Sequence, residues 1–131
     1  MASAEALRAS RLFSRLDDET LERIAPAFTE ADFPANHVLI EPRTTGAGLF
    51  VICDGSVVVE VHGTPRRLGP GDVVGEISML EEQGTRRARV VAETPVRCLA
   101  VARPELERIL DEEPQLGAAL RELAERRLAE L

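Results

Sequence analysis

Between Phe33 and Ala102 no apolar run extends far before a turn residue interrupts it. Pro34-Ala35-Asn36, Gly55-Ser56, Gly63-Thr64-Pro65 and Gly69-Pro70-Gly71-Asp72 cut this stretch into pieces of strand length. The pieces read as strands at His37–Ile40, Leu49–Asp54, Val57–His62, Arg66–Leu68, Val73–Val74, Arg86–Ala92 and Pro95–Ala102. Glu41 to Gly48 is a loop, and Glu93-Thr94 separates the last two strands. Many short strands joined by Gly and Pro turns predict an antiparallel roll or barrel. Such a set must close on itself or be covered, because isolated short hairpins are barely stable in water.

The cover comes from both ends. Residues 4–30 read as helical, with Leu12, Phe13 and Leu16 turned inward. Asp17 has the chemistry of an N-cap, and Asp18 and Glu19 suit the positive end of the helix that follows. Leu16 and Leu21 stand at the two positions of a hydrophobic staple. Leu21, Ile24, Ala25 and Phe28 then recur at helical spacing, which predicts a face packed on the body of the domain. Helix returns at Arg103-Pro104-Glu105, with Pro at a tolerated first-turn position. A second helix starts at Pro114 and runs to Leu131, with Leu116, Leu120, Leu123, Ala124, Leu128 and Leu131 in one stripe. A strict heptad fails at Arg127 and Glu130, so a long coiled coil is not expected. The expected class is α+β, mainly β: an antiparallel, jelly-roll-like β-roll flanked by N-terminal and C-terminal helices. One domain over residues 1–131 is expected, with the roll at 33–102 and the last helices at 104–131. The length of 131 residues suits one domain. With four Phe and no Trp or Tyr, its core must be built from Leu, Val, Ile and Ala.

Residues 75–90, Gly-Glu-Ile-Ser-Met-Leu-Glu-Glu-Gln-Gly-Thr-Arg-Arg-Ala-Arg-Val, carry the chemistry. Gly75 allows a sharp turn or a close backbone approach to a ligand. Ile77 to Leu80 can form one helical turn, whose free N–H groups suit an anion. Arg86 can grip a phosphate through paired, charge-assisted hydrogen bonds. Glu76 cannot, since carboxylate and phosphate are both anionic acceptors, but it can accept a hydrogen bond from a sugar hydroxyl. A carboxylate for ribose and an arginine for phosphate, ten positions apart, describe a site of nucleotide size.

This run resembles the phosphate-binding cassette of the cyclic nucleotide-binding domain. That domain occurs in catabolite-activator-type regulators, protein kinase regulatory subunits and cyclic-nucleotide-gated channels. Gly75, Glu76, Arg86 and Ala88 match the family pattern, and the Glu76-to-Arg86 step resembles that of the bacterial regulators. Leu49-Phe50-Val51-Ile52 through Gly55, and Gly69-Pro70-Gly71-Asp72, resemble its framework. Asn36 stands where the family usually has Gly, an exchange that left-handed backbone tolerates. The resemblance implies that Glu76 takes the ribose 2′-hydroxyl and Arg86 the cyclic phosphate. The backbone around Gly75, Ile77 and Ser78 and the N–H of Ala88 would complete the cradle. Three departures stand against the pattern: Arg87 in place of a small or hydroxyl residue, Arg89 two positions on, and Pro42-Arg43 where Gly is common. Arg87 is either a second cation for the phosphate or, like Arg89, an exposed strand residue. Arg86 has its own alternative, a surface salt bridge to Glu81 or Glu82.

The resemblance implies a receptor for cAMP, ahead of cGMP, that signals by moving its C-terminal helices against the roll. Its output would go to a protein partner or through a homodimer contact of the last helix. In relatives that helix covers the purine. Here the cover would fall to Leu123 or Leu128, or to Arg126 or Arg127 stacked on the base. The alternative is a fold that has lost its ligand and serves as a protein interaction module.

Other classes find little support. A net charge of −7 argues against nucleic acid, whose phosphates need a basic face. All sixteen basic residues are arginine, which reads as compositional bias. Cys53 and Cys98 are too few for a disulfide scaffold and read as small core residues, which suits a reducing cytoplasm. His37 and His62 lack the spacing of metal ligands, so no metal or other cofactor is expected. No nucleophile–base pairing suggests catalysis. The N-terminus has neither the basic start nor the apolar core of a signal peptide, and no apolar run is of membrane-spanning length.

Overall fold

The structure, a computed structural model, describes residues 4–41, 48–61, 64–75 and 89–129. Helices α1 (Ala4–Arg8) and α2 (Asp18–Ile24) open the chain, with one 3-10 turn at Phe13–Arg15 between them and another at Ala25–Ala27. Asp17 caps α2 as expected. It has extended backbone, and its Oδ1 accepts a hydrogen bond of 2.9 Å from the N–H of Thr20. Pro26, in the first turn of the 3-10 segment, ends the helix.

Eight strands follow: β1 (Thr29–Phe33), β2 (Val38–Ile40), β3 (Gly48–Asp54), β4 (Val57–Val61), β5 (Thr64–Leu68), β6 (Val73–Val74), β7 (Arg89–Ala92) and β8 (Val96–Ala102). They form two antiparallel four-stranded sheets, ordered β1-β8-β3-β6 and β2-β7-β4-β5. Helices α3 (Arg103–Glu112) and α4 (Pro114–Ala129) close the described chain. This is the expected β-roll with flanking helices.

One strand and one boundary differ from expectation, since no strand was expected at Thr29–Phe33. Thr29 and Glu30, expected to be helical, begin β1, which pairs with β8 from Thr29↔Ala100 to Phe33↔Val96. Its side chains are mostly exposed, so no apolar alternation betrays it. Backbone pairing holds it, with an ion pair of 2.9 Å between Arg97 and Asp32 across the ladder. Thr64-Pro65, expected in a turn, instead starts β5. That strand lies at the edge of its sheet, where a missing N–H is tolerated.

Alternation along the first sheet divides the core in two. Leu49 and Val51 of β3, Val73 of β6, and Leu99 and Val101 of β8 face the helices. There they meet Leu7, Phe13 and Leu21 from the N-terminal segment and Leu106, Leu116 and Leu120 from α3 and α4. Ile52, Val74, Val96 and Cys98 face the other way, into the roll, against Ile40, Val57, Val90 and Ala92 of the second sheet. The described residues are therefore layered as helices, sheet, sheet, and among them only the first sheet is covered on both faces. Each fully buried aliphatic or aromatic side chain contributes about 1.5–3 kcal/mol relative to exposure.

The β3–β4 connection shows what the turn residues do. Register shifts between Ile52 and Asp54, a bulge that bends β3. Gly55 follows at φ 86°, and a Cβ there would lie 2.2 Å from the carbonyl oxygen of Pro95. Asn36 also adopts the left-handed region, at φ 73°.

Candidate functional site

The candidate site begins where β6 leaves the first sheet, and the turn before β6 is fixed from several directions. Asp72 accepts a hydrogen bond of 3.0 Å from the Gly69 N–H through Oδ2 and pairs with Arg11 at 2.6 Å through Oδ1. Its carbonyl accepts from Ile52 N–H at 2.8 Å, and the Gly71 N–H donates to the carbonyl of Ile52 at 2.9 Å. The short strand β6 thus enters in one orientation, with Val73 on the helical side and Val74 in the roll. Gly75 follows at φ 102°, a conformation most L residues avoid. This is the backbone freedom that the sequence assigned to Gly75.

Arg89, the first residue of β7, lies in the other sheet. Residues 76–88 therefore connect the two sheets. The residues just beyond the two ends of this connection, Val74 and Val90, are 2% and 1% exposed and belong to one cluster. Along β7, Val90 and Ala92 are buried in the roll, while Arg89 is exposed on the opposite face. Arg89 lies 3.9 Å from Glu41, a weak surface pair, and so fits the reading as an exposed strand residue.

Of the residues expected to bind ligand, Gly75 is placed as above. Glu76, Ile77, Ser78, Arg86, Arg87 and Ala88 lie outside the described residues, as do Pro42, Arg43, His62, Glu81 and Glu82. His37 stacks on Phe33, with ring centroids 4.6 Å apart at 14°. Burial pushes the thiol of Cys98 up to about 12, with the neighbouring Cys53 adding to the shift. Burial, then Glu30, also raises Cys53. Both cysteines are free and both shifts disfavour a thiolate, so neither is poised as a nucleophile.

The last helix meets β6 through a contact that the sequence did not suggest. The guanidinium of Arg127 donates to the carbonyl of Val73, two residues before Gly75. Arg127 was a candidate for stacking on a base; here it holds backbone instead. Its position four residues after Leu123 puts both on one helix face. That spacing could have suggested the direction of Arg127, though not its partner. Leu123 packs against the helical core. The Arg11–Asp72 pair, 61 positions apart, had no sequence signal.

The profile described as the cyclic nucleotide-binding domain matches residues 30–113. The chain belongs to that family. It is 31% identical over 117 residues to the cGMP-dependent protein kinase, isozyme 1, of Drosophila melanogaster, covering 82% of this chain but only 15% of the kinase. A Geobacter metallireducens structure, described as a candidate cyclic nucleotide-binding protein, superposes with a TM-score of 0.82 at 25% identity, covering 99% of this chain and 98% of that one. The regulatory subunit of a cAMP-independent protein kinase A from Trypanosoma brucei, solved as a mutant bound to cAMP, gives a TM-score of 0.76 at 26% identity. That match covers 94% of this chain and 44% of the subunit. The fold is thus that of a regulatory domain. No helix among the described residues is long and apolar enough to cross a membrane.

Proposed function

We propose that residues 1–131 form one cytoplasmic receptor domain for a cyclic nucleotide, cAMP ahead of cGMP. Arg86 binds the cyclic phosphate and Glu76 the ribose 2′-hydroxyl. Gly75, Ile77, Ser78 and Ala88 supply the backbone of the cradle, and Arg87, of its two readings, is the exposed strand residue. The observation that carries this reading is the alternation of β7, with Val90 and Ala92 turned into the roll and Arg89 turned out. Extended backward through the same pleat, it would turn Arg86 and Ala88 toward the roll and Arg87 away from it. The burial of Val74 and Val90 in one cluster supports the reading, because it ties both ends of the connection to the surface a ligand would face. The family match and the cAMP-bound Trypanosoma brucei relative support the ligand class. Free cysteines at 53 and 98 suit a reducing compartment.

Signalling in this reading runs through α4. Arg127 joins that helix to β6 at the root of the cassette, so a ligand that shifts Gly75 alters the anchorage of α4. The moving helix would then address a protein partner or a second copy of the chain.

Thermal unfolding with each cyclic nucleotide tests the reading. A ligand at about 100 times its Kd adds about 2.7 kcal/mol of stability. Arg86→Ala should abolish that gain and leave the ligand-free transition where it was. A flat response to both nucleotides would overturn the receptor reading and leave a protein interaction module on the same fold. Calorimetry with cAMP and cGMP decides the base; tighter cGMP binding would reverse the preference while keeping the site.

A further inference from the structure

A second feature, on the opposite face of β6 from the roll interior, is absorbed by neither the fold nor the proposed receptor role. The N-terminal segment, the turn before β6 and α4 enclose a cleft of about 100 Å³. Arg11, Arg15, Arg126 and Arg127 all line it, against Asp72 as the one carboxylate. In a protein of net charge −7, four arginines lining one small hollow are a strong local reversal of sign.

The carboxylate does not cancel them. Asp72 is committed to Arg11 at 2.6 Å and to the Gly69 N–H at 3.0 Å. Arg127 holds the Val73 carbonyl. Arg15 and Arg126 are exposed, and no hydrogen bond or ion pair engages either among the described residues. They come from different elements, the 3-10 turn at Phe13–Arg15 and α4, and Leu12 and Leu123 add apolar lining. Guanidinium groups on two sides of a partly desolvated hollow suit a tetrahedral oxyanion, which can accept from several donors at once. Size narrows the ligand further. Pockets for drug-sized molecules begin at about 300 Å³, so this cleft takes one phosphoryl group and no whole nucleotide.

We propose that this cleft is an anion site for a phosphoryl group, either inorganic phosphate or the end group of a polyphosphate chain. It lies on the helical side of β6, where Val73 faces the helical core beside the cleft, while Val74 faces the roll. Arg15 and Arg126 are its principal contacts, with Arg11 and Arg127 shaping it from their existing partners.

Calorimetric titration of the whole chain with inorganic phosphate, and separately with tripolyphosphate, tests the proposal at constant ionic strength. Saturable binding is expected in the native chain and in Arg86→Ala, and at least about tenfold weaker binding in the double variant Arg15→Gln/Arg126→Gln. Both substituted side chains are exposed, so the double variant should fold, and an unchanged unfolding midpoint verifies this. Equal affinity for the two ligands would identify free phosphate, and tighter tripolyphosphate binding the end of a chain. No saturable binding, or an unchanged isotherm in the double variant, would overturn the proposal. So would loss of binding in Arg86→Ala, which would place the phosphate at the cassette instead.

Discussion

The two cores meet at adjacent residues of one strand and do different work. Val73 belongs to a core that gathers both ends of the chain: α1, the Phe13–Arg15 turn and α2 on one side, α3 and α4 on the other. Val74 belongs to a core that, among the described residues, is made only of strands, and Val90, next to the far end of the 76–88 connection, lies in the same cluster. The helical core therefore sets where α4 sits, and the roll core sets where the cassette begins and ends. A strand of two residues separates them. Under the proposed receptor role, a ligand in the roll would have a short route to the helices through the backbone of β6, without a side-chain relay.

The sharpest way to break this division is to damage each core alone. Phe13 is fully buried and meets Phe28 edge-on at 5.5 Å. Phe13→Ala should cost about 3–5 kcal/mol through lost transfer energy and the cavity left behind. Ile52, 1% exposed and on the roll side, should cost about 2–5 kcal/mol as Ile52→Ala. Urea unfolding measures both. If the cores divide the work, Ile52→Ala weakens cyclic nucleotide binding by the folded protein and Phe13→Ala does not. Equal losses of affinity would show one undivided core.

A smaller change sharpens the link between the two cores. Arg127→Gln removes the guanidinium from the Val73 carbonyl. The contact is half-exposed, so its loss should cost about 1 kcal/mol in stability. Its informative consequence is on coupling. With α4 released from the root of the cassette, the motion of α4 on nucleotide binding should shrink while affinity changes little. A fluorophore on the exposed face of α4, at Glu122 or Glu125, would report that motion. An undiminished signal would mean that α4 senses the ligand by another contact.

Much of this arrangement was legible in the sequence, and the exceptions have a common cause. The alternating residues of β3, β7 and β8, the cap at Asp17 and the proline-started helices α3 and α4 all carry local signals. The family was legible because a glycine, a carboxylate and an arginine at fixed spacing have few other uses together, while Glu76 and Arg86 themselves lie outside the described residues. Strand β1 was missed altogether because its side chains are mostly solvated and its backbone is held by β8, 65 residues away at the Asp32–Arg97 pair. The contacts of Arg11 and Arg127 were missed for the same reason. Long-range pairs of charged residues with backbone or with each other leave no periodicity to read.

The finest test compares one exposed carboxylate from each region. Asp17 caps α2 on the helical side, and the hydrogen bonds from Thr20 hold its carboxyl below the ordinary value. Glu93, at the end of β7 on the roll side, accepts from Arg67 at 2.7 and 2.6 Å and from Ser56 at 2.8 Å. Arg67 first, then Ser56, lowers its pKa. A carboxylate with a depressed folded pKa binds fewer protons in the folded state than in the unfolded one. Its stabilisation is present above the ordinary values, 3.8 for Asp17 and 4.5 for Glu93, and is lost as pH falls through the depressed folded values. Asp17→Asn keeps a capping oxygen but should remove its share of the acid limb, and Glu93→Gln should remove the other share. Salt tells them apart. The Glu93–Arg67 pair joins two exposed charges and weakens with ionic strength, whereas the cap at Asp17 is a local bond to a neutral N–H and should weaken less. Acid unfolding of both variants at low and high salt measures this. If high salt erased both contributions equally, the helical side and the roll side would owe their acid stability to the same diffuse charge effect.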